Sequence, residues 1–326
     1  MPARVRRKPL LSLLVAALVV LAAAGAAAAG NGGLAPVTPN SPNAHRIATT
    51  YWVIVGFTAF IFVLVEGLLV YFAVKYRSRG RGREVEGAQV HGHTRLELIW
   101  TAGPVVILAV IAAFVFYQLP HISNAPAASN PLRVTVEGHQ FYWQFDYPNG
   151  AISIGDLHVP VKQVVDLRVI SGDVIHSWWI PALGGKIQAI PGRTNHTWFE
   201  AEGMGSFAGP CAELCGIYHA SMQGTVVVET ADAYRTYVTK TAPATLGKQV
   251  FHGVCATCHG MEGQGGYGPA INTNPTIISE RGMSTIAHNG FVTMPAVGDT
   301  WSEKEVAALV GYMRKHIYKG ATTSGG

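Results

Sequence analysis

Three long hydrophobic runs dominate the first third of the chain, and polar or charged stretches separate them. The first run begins at Leu10 behind a basic N-terminus and ends in alanine-rich residues, a pattern typical of a secretory signal peptide over residues 1–29. Because this run approaches the length of a membrane span, a retained membrane helix is the alternative. Residues 30–48 are rich in Gly, Pro and Asn and predict a flexible segment.

The second and third runs, over residues 51–76 and 98–117, are each long enough to cross the hydrocarbon core of a bilayer. The interval between them is basic and contains Lys75, Arg77, Arg79, Arg81, Arg83 and Arg95. Positive charge marks cytoplasmic loops, so the mature N-terminus and everything after Pro120 should lie outside the cytoplasm. We therefore expect residues 49–120 to form a transmembrane hairpin of two helices.

After the third run the pattern changes to short β-branched or aromatic segments that Gly and Pro separate. Strands are predicted at residues 132–136, 141–145, 164–170, 196–199 and 225–229, and another ends before Pro181. This pattern predicts an all-β Greek-key sandwich over residues 131–230. Residues 231–243 are small and polar and are interpreted as a linker.

The last region, residues 244–320, ends in a predicted amphipathic helix. Ser302 and Glu305 form a capping box at its start. An apolar face follows, composed of Val306, Leu309, Val310 and Met313. The tail, residues 321–326, is expected to be disordered.

The length and composition of the chain are consistent with these domains. The chain has 326 residues, 49% hydrophobic and only 13% charged, which is enough for two soluble domains beside membrane segments. Its formal net charge of +5 depends on four basic residues near the start, Arg4, Arg6, Arg7 and Lys8. Without those four, 20 of the 24 basic residues would remain against 19 acidic ones, so the charge does not indicate a nucleic-acid partner.

One short segment combines two thiols, an imidazole and a thioether, at Cys211, Cys215, His219 and Met222. Such soft donors favour copper or iron-sulfur chemistry, and imidazole suits copper or zinc. The best candidate for a ligand from outside the segment is His176, on the strand before Pro181. A zinc site or a disulfide between the two cysteines is the alternative, although structural zinc sites usually contain no Met.

A second motif, Cys-x-x-Cys-His at residues 255–259, is the signature of covalent c-type haem attachment. The thiols of Cys255 and Cys258 add to the haem vinyl groups, and His259 takes one axial position. A thioredoxin-like redox pair is the alternative, but it would need a βαβ context that this region lacks. Since all four cysteines lie in these two motifs, we expect no disulfides.

Two segments together resemble subunit II of haem-copper cytochrome c oxidases. They are His-Ser-Trp-x-Ile-Pro, from residue 176, and Cys-x-Glu-x-Cys-x-x-x-His-x-x-Met, from residue 211. The resemblance implies a cupredoxin fold for residues 131–230 and a dinuclear copper centre, Cu-A. It implies bridging thiolates at Cys211 and Cys215, terminal imidazoles at His176 and His219, a weak ligand at Met222 and a backbone carbonyl ligand at Glu213. It also implies that the Glu213 side chain binds a magnesium ion at the boundary with subunit I.

The residues from Leu96 to Pro104 are similar to the start of the second membrane helix in that family. The resemblance implies that Glu97 lies at the mouth of a proton path into subunit I. The alternative is a carboxylate that the helix dipole favours at the start of a helix.

Two positions depart from the family pattern. Phe141 stands where the family has the tryptophan that takes electrons from soluble cytochrome c, and Gln188, to which we assign no role, stands where Asp is common.

Four further ionisable residues lie outside these motifs. Glu66 is a carboxylate inside the first membrane span, and we expect it to face the helix bundle or a neighbouring subunit. His139, His158 and His196 are possible ligands by type only, so we interpret them as structural or surface residues.

The residues that follow the haem motif resemble a small class I cytochrome c, which implies an all-α domain over residues 244–320. A glycine-rich stretch at residues 260–269 would wrap the haem, and residues 289–295 resemble the loop of the axial methionine. The resemblance selects Met294 as the sixth ligand, in competition with Met261 and Met283. Met261 is too near His259 along the chain to reach the opposite haem face easily.

Together these resemblances imply an electron-transfer subunit of a membrane-bound terminal oxidase. Electrons would pass from the haem to Cu-A and on to the haem-copper centre of subunit I, where oxygen is reduced to water and protons are translocated. The implied partners are subunit I, subunit III, membrane lipid and an upstream cytochrome c or quinol-cytochrome c reductase. The implied location is the bacterial inner membrane, with both soluble domains on the periplasmic or extracellular side. The equivalent Cu-A subunit of a nitric oxide reductase is the alternative, because the reactive centre lies on another polypeptide.

Overall fold

The computed structural model describes residues 35–77, 89–128 and 130–320. The predicted signal peptide, the predicted tail at 321–326 and the basic residues Arg79, Arg81 and Arg83 lie outside these ranges. Residues Met1–Pro39 form one unit, and Asn40–Gly326 form a second. The elements below belong to the second unit.

Two long helices correspond to the predicted membrane hairpin. Helix α1 spans Pro42–Lys75 and helix α2 spans Thr94–Ser123, and both are long and apolar enough to cross a membrane. Helix α1 begins inside the segment that we predict to be flexible. It does so because the Ser41 side chain accepts a hydrogen bond from the Ala44 backbone, and Pro42 fits the first helical turn.

Ten strands follow, and they confirm the predicted all-β domain. They are β1 (Leu132–His139), β2 (Tyr142–Asp146), β3 (Ile152–Ile154), β4 (Asp156–Pro160), β5 (Val164–Ser171), β6 (His176–Trp178), β7 (Ile187–Ala189), β8 (Asn195–Glu200), β9 (Gly205–Pro210) and β10 (Gln223–Glu229). They form sheets in the orders β3-β2-β1-β5-β8, β4-β10-β9 and β6-β7. Alternating side chains such as Val136, Phe145, Leu157 and Val226 fill the core between the sheets.

The strands that the sequence analysis does not predict are short or poor in β-forming residues. Strand β3 has three residues, and β9 has the composition Gly-Ser-Phe-Ala-Gly-Pro. Pairing holds them in place, since β9 pairs with β10 and β3 with β2. Long-range pairing of this kind outweighs local propensity.

The elements described after the sandwich are helices. They are α3 (Ala231–Thr236), a π-helix (Tyr237–Thr241), α4 (Ala242–Val250), a second π-helix (Phe251–Cys255), α5 (Ala256–His259), a 3-10 helix (Pro275–Ile278), α6 (Glu280–Asn289) and α7 (Glu303–His316). The predicted capping box of α7 is present. Where we expect a linker, residues 231–243, the chain is helical. Tyr234, Tyr237 and Val238 pack this helical segment against the sandwich core.

The helical domain lies against the β2–β3 edge of the sandwich. Tyr142 and Ile154 of the sandwich share an apolar cluster with Val250 and Phe251. Trp301 Nε1 donates a hydrogen bond to Tyr142 Oη at 2.9 Å. These contacts fix one face of the helical domain against the sandwich.

Contacts with the sandwich also hold the membrane hairpin in place. Asn43 Nδ2, in the first turn of α1, donates to the Trp198 carbonyl at 2.7 Å. Trp198 Nε1 in turn donates to the carbonyl of Ile122, in the last turn of α2, at 3.0 Å. One strand of the sandwich therefore joins the outer ends of both helices.

Candidate metal centre and haem site

Separate elements bring the predicted copper ligands to one end of the sandwich. His176 begins β6, Cys211 follows the last residue of β9, and Met222 precedes β10. Cys215 and His219 come from the loop between β9 and β10, where residues 219–221 form a 3-10 turn. Ligand atoms of His176, Cys211 and Cys215 lie within 4.8 Å of one another.

Pairwise distances connect all six predicted residues. Cys211 Sγ lies 3.9 Å from His176 Nδ1 and 3.3 Å from the Glu213 carbonyl oxygen. Cys215 Sγ lies 3.5 Å from His219 Nδ1 and 3.7 Å from Met222 Sδ. Both imidazoles thus present Nδ1, and Glu213 presents its carbonyl, to a buried pair of sulfur atoms.

Asp173 orients one of the two imidazoles. Its Oδ1 atom lies 2.8 Å from His176 Nε2, which leaves Nδ1 of that ring directed at the thiol of Cys211. Burial acts to lower the pKa of His176, but the contacts with Asp173 and Cys211 together outweigh it and the pKa is raised. A carboxylate on the second nitrogen is a common way to fix a metal-binding histidine.

The two thiols differ in acidity. Burial raises the pKa of Cys215 to about 12, and the adjacent Cys211 adds to the rise. Burial acts in the same direction on Cys211, but its hydrogen bonds with His176 and the backbone outweigh it, so the pKa of that thiol is lowered. One thiolate therefore opposes the formation of the second. Bound cations would remove this repulsion, so the site fits a metal that binds both sulfur atoms.

The donor set favours copper over the alternatives. Both cysteines are free in the structure rather than joined in a disulfide. Met222, whose side chain is fully buried, adds a thioether beside Cys215. Two thiols, two imidazoles and a thioether are soft donors that suit copper better than zinc.

Nothing in the described residues supports the magnesium ion expected at Glu213. Within the described ranges, the one group of three metal-binding side chains is His176 with Cys211 and Cys215. Only the carbonyl of Glu213 contacts that group. The magnesium role of its side chain stays a prediction.

The haem motif lies beside a cavity of about 360 Å³. The helical domain lines it with Gly253, Val254, Cys255, Thr257, Cys258, His259, Tyr267, Thr293, Met294, Pro295 and Val297. His259 Nδ1 contacts the Pro269 carbonyl at 2.7 Å, which leaves Nε2 free for iron. Gly268 passes so close to this ring that an added Cβ would lie 2.9 Å from it. The cavity and its donors fit a c-type haem.

The structure brings Met294, and neither of its competitors, to the cavity. Met294 lines the wall together with His259. Met261 is exposed, and Met283 is buried in the core of the helical domain. The position of Met294 agrees with its predicted role as the axial ligand.

The sandwich contributes the remaining wall of this cavity. Gln140, Phe141, Gly216, Ile217 and Tyr218 line it, and three of these five belong to the loop that carries the copper ligands. Gln140 Nε2 donates to the Cys215 carbonyl at 2.5 Å. The two candidate cofactor sites therefore share a wall.

Three family models match this chain. They are described as the transmembrane domain of cytochrome c oxidase subunit II, at residues 32–118, the periplasmic domain of that subunit, at 152–231, and cbb3-type cytochrome c oxidase subunit III, at 242–313. Cytochrome c oxidase subunit 2 of Alkalihalophilus pseudofirmus is 33% identical over 314 residues, which cover 86% of this chain and 90% of that protein. The chain belongs to the cytochrome c oxidase subunit II family.

Other family members match smaller shares. Cytochrome c oxidase subunit 2 of Synechocystis is 31% identical over 259 residues, 66% of this chain and 77% of that protein. The crystal structure of the periplasmic domain of subunit II from Bradyrhizobium japonicum is 35% identical, with a TM-score of 0.34, and the match covers 36% of this chain and 96% of that one. The chain is thus a cytochrome c oxidase subunit II that carries an additional cytochrome c domain, as the sequence resemblance implies.

Two carboxylates, Glu97 and Glu66, lie on the membrane helices of this oxidase subunit II. Glu97 Oε1 accepts a hydrogen bond from the His93 backbone at 3.0 Å, at the start of α2. That contact suits a helix-start carboxylate, and the proton-path role stays a prediction. Glu66 is exposed on α1, so its expected contact with a neighbouring subunit also stays a prediction.

The three histidines interpreted as structural or surface residues lie outside the metal cluster. His139 is buried and stacks on Tyr142. His158 stacks on Tyr237, and His196 is exposed on β8. None of them contributes to the candidate metal group.

Sequence reasoning missed three residues of the oxidase subunit II site. Asp173 lies three positions before His176, so a search for a carboxylate near each predicted histidine ligand would have found it. Tyr218 lies inside the copper motif, next to His219, so the motif itself could have indicated it. Gln140 contacts the site only because strands and loops bring distant segments together, and no local signal identifies it.

Proposed function

We propose that this chain conducts electrons from a c-type haem to a dinuclear Cu-A centre and on to the haem-copper centre of subunit I, where oxygen is reduced to water and protons are translocated. Cys255 and Cys258 would hold the haem covalently, with His259 and Met294 as axial ligands. The copper centre would bind to Cys211, Cys215, His176, His219, Met222 and the Glu213 carbonyl. The observation that carries the proposal is the cavity wall shared by the two sites.

The shared wall makes the separation between the two sites short. Tyr218 lines the haem cavity and is the chain neighbour of His219. Gln140 lines the same cavity and hydrogen-bonds the backbone of Cys215. Fixed proximity of this kind replaces a diffusional encounter between donor and acceptor.

An aromatic row covers the copper loop on the haem side. Phe141 and Tyr218 meet edge to face at 5.4 Å, and Tyr218 meets Tyr267 of the helical domain at the same distance. The helical domain thus occupies the surface around Phe141. Phenylalanine at the position of the family's tryptophan is consistent with a donor that is fused rather than soluble.

The chain's own residues prepare the copper site. Asp173 accepts hydrogen bonds from the His176 ring and, at 2.6 Å, from the Gln140 backbone, so one carboxylate holds a ligand and the cavity wall together. When bound, Cu-A would supply a one-electron couple shared by two metals. Burial of the sulfur atoms excludes water, and a rigid loop keeps the ligands in place.

Membership in the family supports the remaining assignments of the proposal. We propose that subunit I and subunit III are partners, that membrane lipid surrounds α1 and α2, and that an upstream cytochrome c or quinol-cytochrome c reductase supplies electrons. We place the chain in the bacterial inner membrane, with the sandwich and the helical domain on the periplasmic side. Glu97 at the start of α2 would lie at the mouth of a proton path.

Oxygen uptake by the complex purified through this subunit tests the proposal. With a small chemical reductant and no added cytochrome c, we expect rapid, cyanide-sensitive uptake. Consumption of nitric oxide in place of oxygen would show that the complex is a reductase of the alternative class.

A pair of methionine variants tests the haem assignment. Met294→Leu removes the proposed axial thioether, and it should lower uptake at least about tenfold because loss of this ligand lowers the haem potential. Met261→Leu is the matched control, because Met261 is exposed and does not line the cavity. Equal uptake by both variants would contradict the assignment of Met294.

A further inference from the structure

One face of the β1–β2 ladder contacts the helical domain. Glu137 lies opposite Gln144 and His139 opposite Tyr142, so these four side chains share a face of the sheet. Tyr142 Oη accepts from Trp301 Nε1 and donates to the Val297 carbonyl at 2.8 Å. His139 Nδ1 lies 3.9 Å from Asp299 Oδ1. The loop before α7 and the first turn of that helix cover the face.

Docking concentrates negative charge at this contact. The sandwich supplies Glu137 and Asp146, with Asp173 behind them, and the helical domain supplies Asp299 and Glu305. Lys304 is the cation beside Glu305, but its Nζ donates to the Gly150 carbonyl of the sandwich. His139 lies within the contact, the imidazole of His176 is close enough to act on it, and His288 Nε2 lies 3.0 Å from the Trp301 carbonyl.

Buried polar atoms at this contact lack hydrogen-bond partners. Among the described residues four buried side-chain atoms have none, and three of them lie here: His139 Nε2, Gln144 Oε1 and Glu305 Oε1. The amide oxygen of Gln144 and an ionised Glu305 oxygen can only accept, and a neutral His139 whose N–H is at Nδ1, facing Asp299, has only an acceptor at Nε2. The cluster is therefore short of hydrogen-bond donors, and buried acceptors without donors are costly.

A proton on Glu137 would supply the missing donor. Glu137 Oε1 lies 3.5 Å from His139 Nε2, so a protonated carboxyl could turn two facing acceptors into a donor and an acceptor. Burial raises the pKa of Glu137 to about 7, and repulsion from Asp146, Asp299 and Glu305 adds to the rise. Burial lowers the pKa of His139, which leaves the carboxyl as the preferred position for the proton.

We propose that the contact between the two domains is a proton-binding site, in which Glu137 takes up one proton when the helical domain docks on the sandwich. The carboxylates of Asp299 and Glu305 arrive only with docking, so the docked form binds the proton more tightly than the separated form. By linkage, docking is strongest at acid pH and weakens as the pH rises from the ordinary value for Glu, 4.5, towards about 7. Above that pH no further loss is expected from this group.

The consequence for electron transfer rests on the proposed function, since it requires the haem domain to be the donor. Docking brings the haem cavity against the copper loop. Each pH unit within the window should lower the docking constant by up to about tenfold. Transfer within the chain should slow as the docked fraction falls.

Infrared spectroscopy of the intact oxidase complex tests the proton directly. The wild-type complex should show a carboxylic acid C=O band that titrates near pH 7, and Glu137→Gln should remove it. Glu200→Gln is the matched control, because Glu200 ends β8, two strands from β1 in the sheet, and its variant should keep the band. A band near pH 7 that survives in Glu137→Gln would overturn the proposal.

Hydrogen exchange in the same complex tests the link to docking. After correction for intrinsic pH effects, residues 297–305 should exchange faster at pH 8 than at pH 5.5 in the wild type. Glu137→Gln, which stays neutral, should exchange equally at both values. Equal protection of the wild type at both values would also overturn the proposal.

A second variant keeps the test valid if Glu137→Gln does not assemble. Asp299→Asn changes a partly exposed carboxylate, and it should lower the midpoint of the band because one source of repulsion is gone. An unchanged midpoint would contradict the proposal.

The proton site and the proposed function can fail separately. A titrating band without haem-to-copper transfer would refute only the proposed function, and transfer without the band would refute only the proton site.

Discussion

At the scale of single residues, Asp173 connects most parts of the copper site. It accepts hydrogen bonds from the His176 ring and from the Gln140 backbone. Burial acts to raise its pKa, but these hydrogen bonds and a third from the Val174 backbone outweigh the effect, and the pKa is lowered. The charged form of Asp173 is therefore the form that holds the imidazole of His176.

Asp173→Asn should weaken copper binding. The amide cannot stabilise the His176 ring as a carboxylate does, and loss of such a partner typically costs about 10- to 100-fold in metal affinity. Copper titration followed by electron paramagnetic resonance measures the effect. Asp166→Asn, on the exposed side of β5 beside Arg133, is the control. Equal affinities in both variants would refute this role of Asp173.

The donor atoms of the copper site were predictable because a short motif carries most of them. The spacing of Cys211, Cys215, His219 and Met222 indicates soft-metal chemistry, and the strand before Pro181 indicates His176. Gln140 was not predictable. Its contact with Cys215 spans 75 positions and depends on how β1 and β2 pair.

At the scale of elements, the crossing of α4 and α7 holds the helical domain together. Gly247 on α4 lies so close to α7 that an added Cβ would stand 2.0 Å from the Ala308 carbonyl oxygen. Leu246, Val250, Leu309 and Met313 form the buried core of this domain. Glycine at the crossing permits the close approach of the two helices.

Gly247→Ala should destabilise the helical domain, because the two backbones would have to separate. Overpacking of this kind costs about 1–3 kcal/mol. Gly311→Ala is the matched control, since its Cβ would meet nothing within 4 Å in α7 and alanine favours helix. Thermal unfolding followed by circular dichroism and haem absorbance compares the two. A Gly247→Ala variant as stable as the Gly311→Ala variant would contradict the packing described.

Some elements were predicted and others were not, for physical reasons. The membrane helices and α7 carry long periodic patterns and caps, so the sequence indicates them directly. The helical run from Ala231 contains small and polar residues that are typical of a linker. It is ordered because Tyr234 and Tyr237 pack on the sandwich, a tertiary contact without a local signal.

At the scale of the whole molecule, the sandwich is the domain that contacts all the other parts. The sandwich joins the outer ends of the membrane helices, carries the copper ligands and supplies one wall of the haem cavity. The sequence indicates each domain separately, through hydropathy, strand pattern and the haem motif. It does not indicate the docking of the domains, because that depends on Tyr142, Trp301 and other residues far apart in the chain.

The most direct test of this account is electron transfer within a single complex. The haem is reduced by a light pulse in the intact oxidase, without soluble cytochrome c, and Cu-A absorbance is followed in time. We expect Cu-A to be reduced as the haem is reoxidised, at a rate independent of protein concentration, because the two sites share a wall. Reduction of Cu-A that requires added cytochrome c, or whose rate rises with protein concentration, would contradict the account.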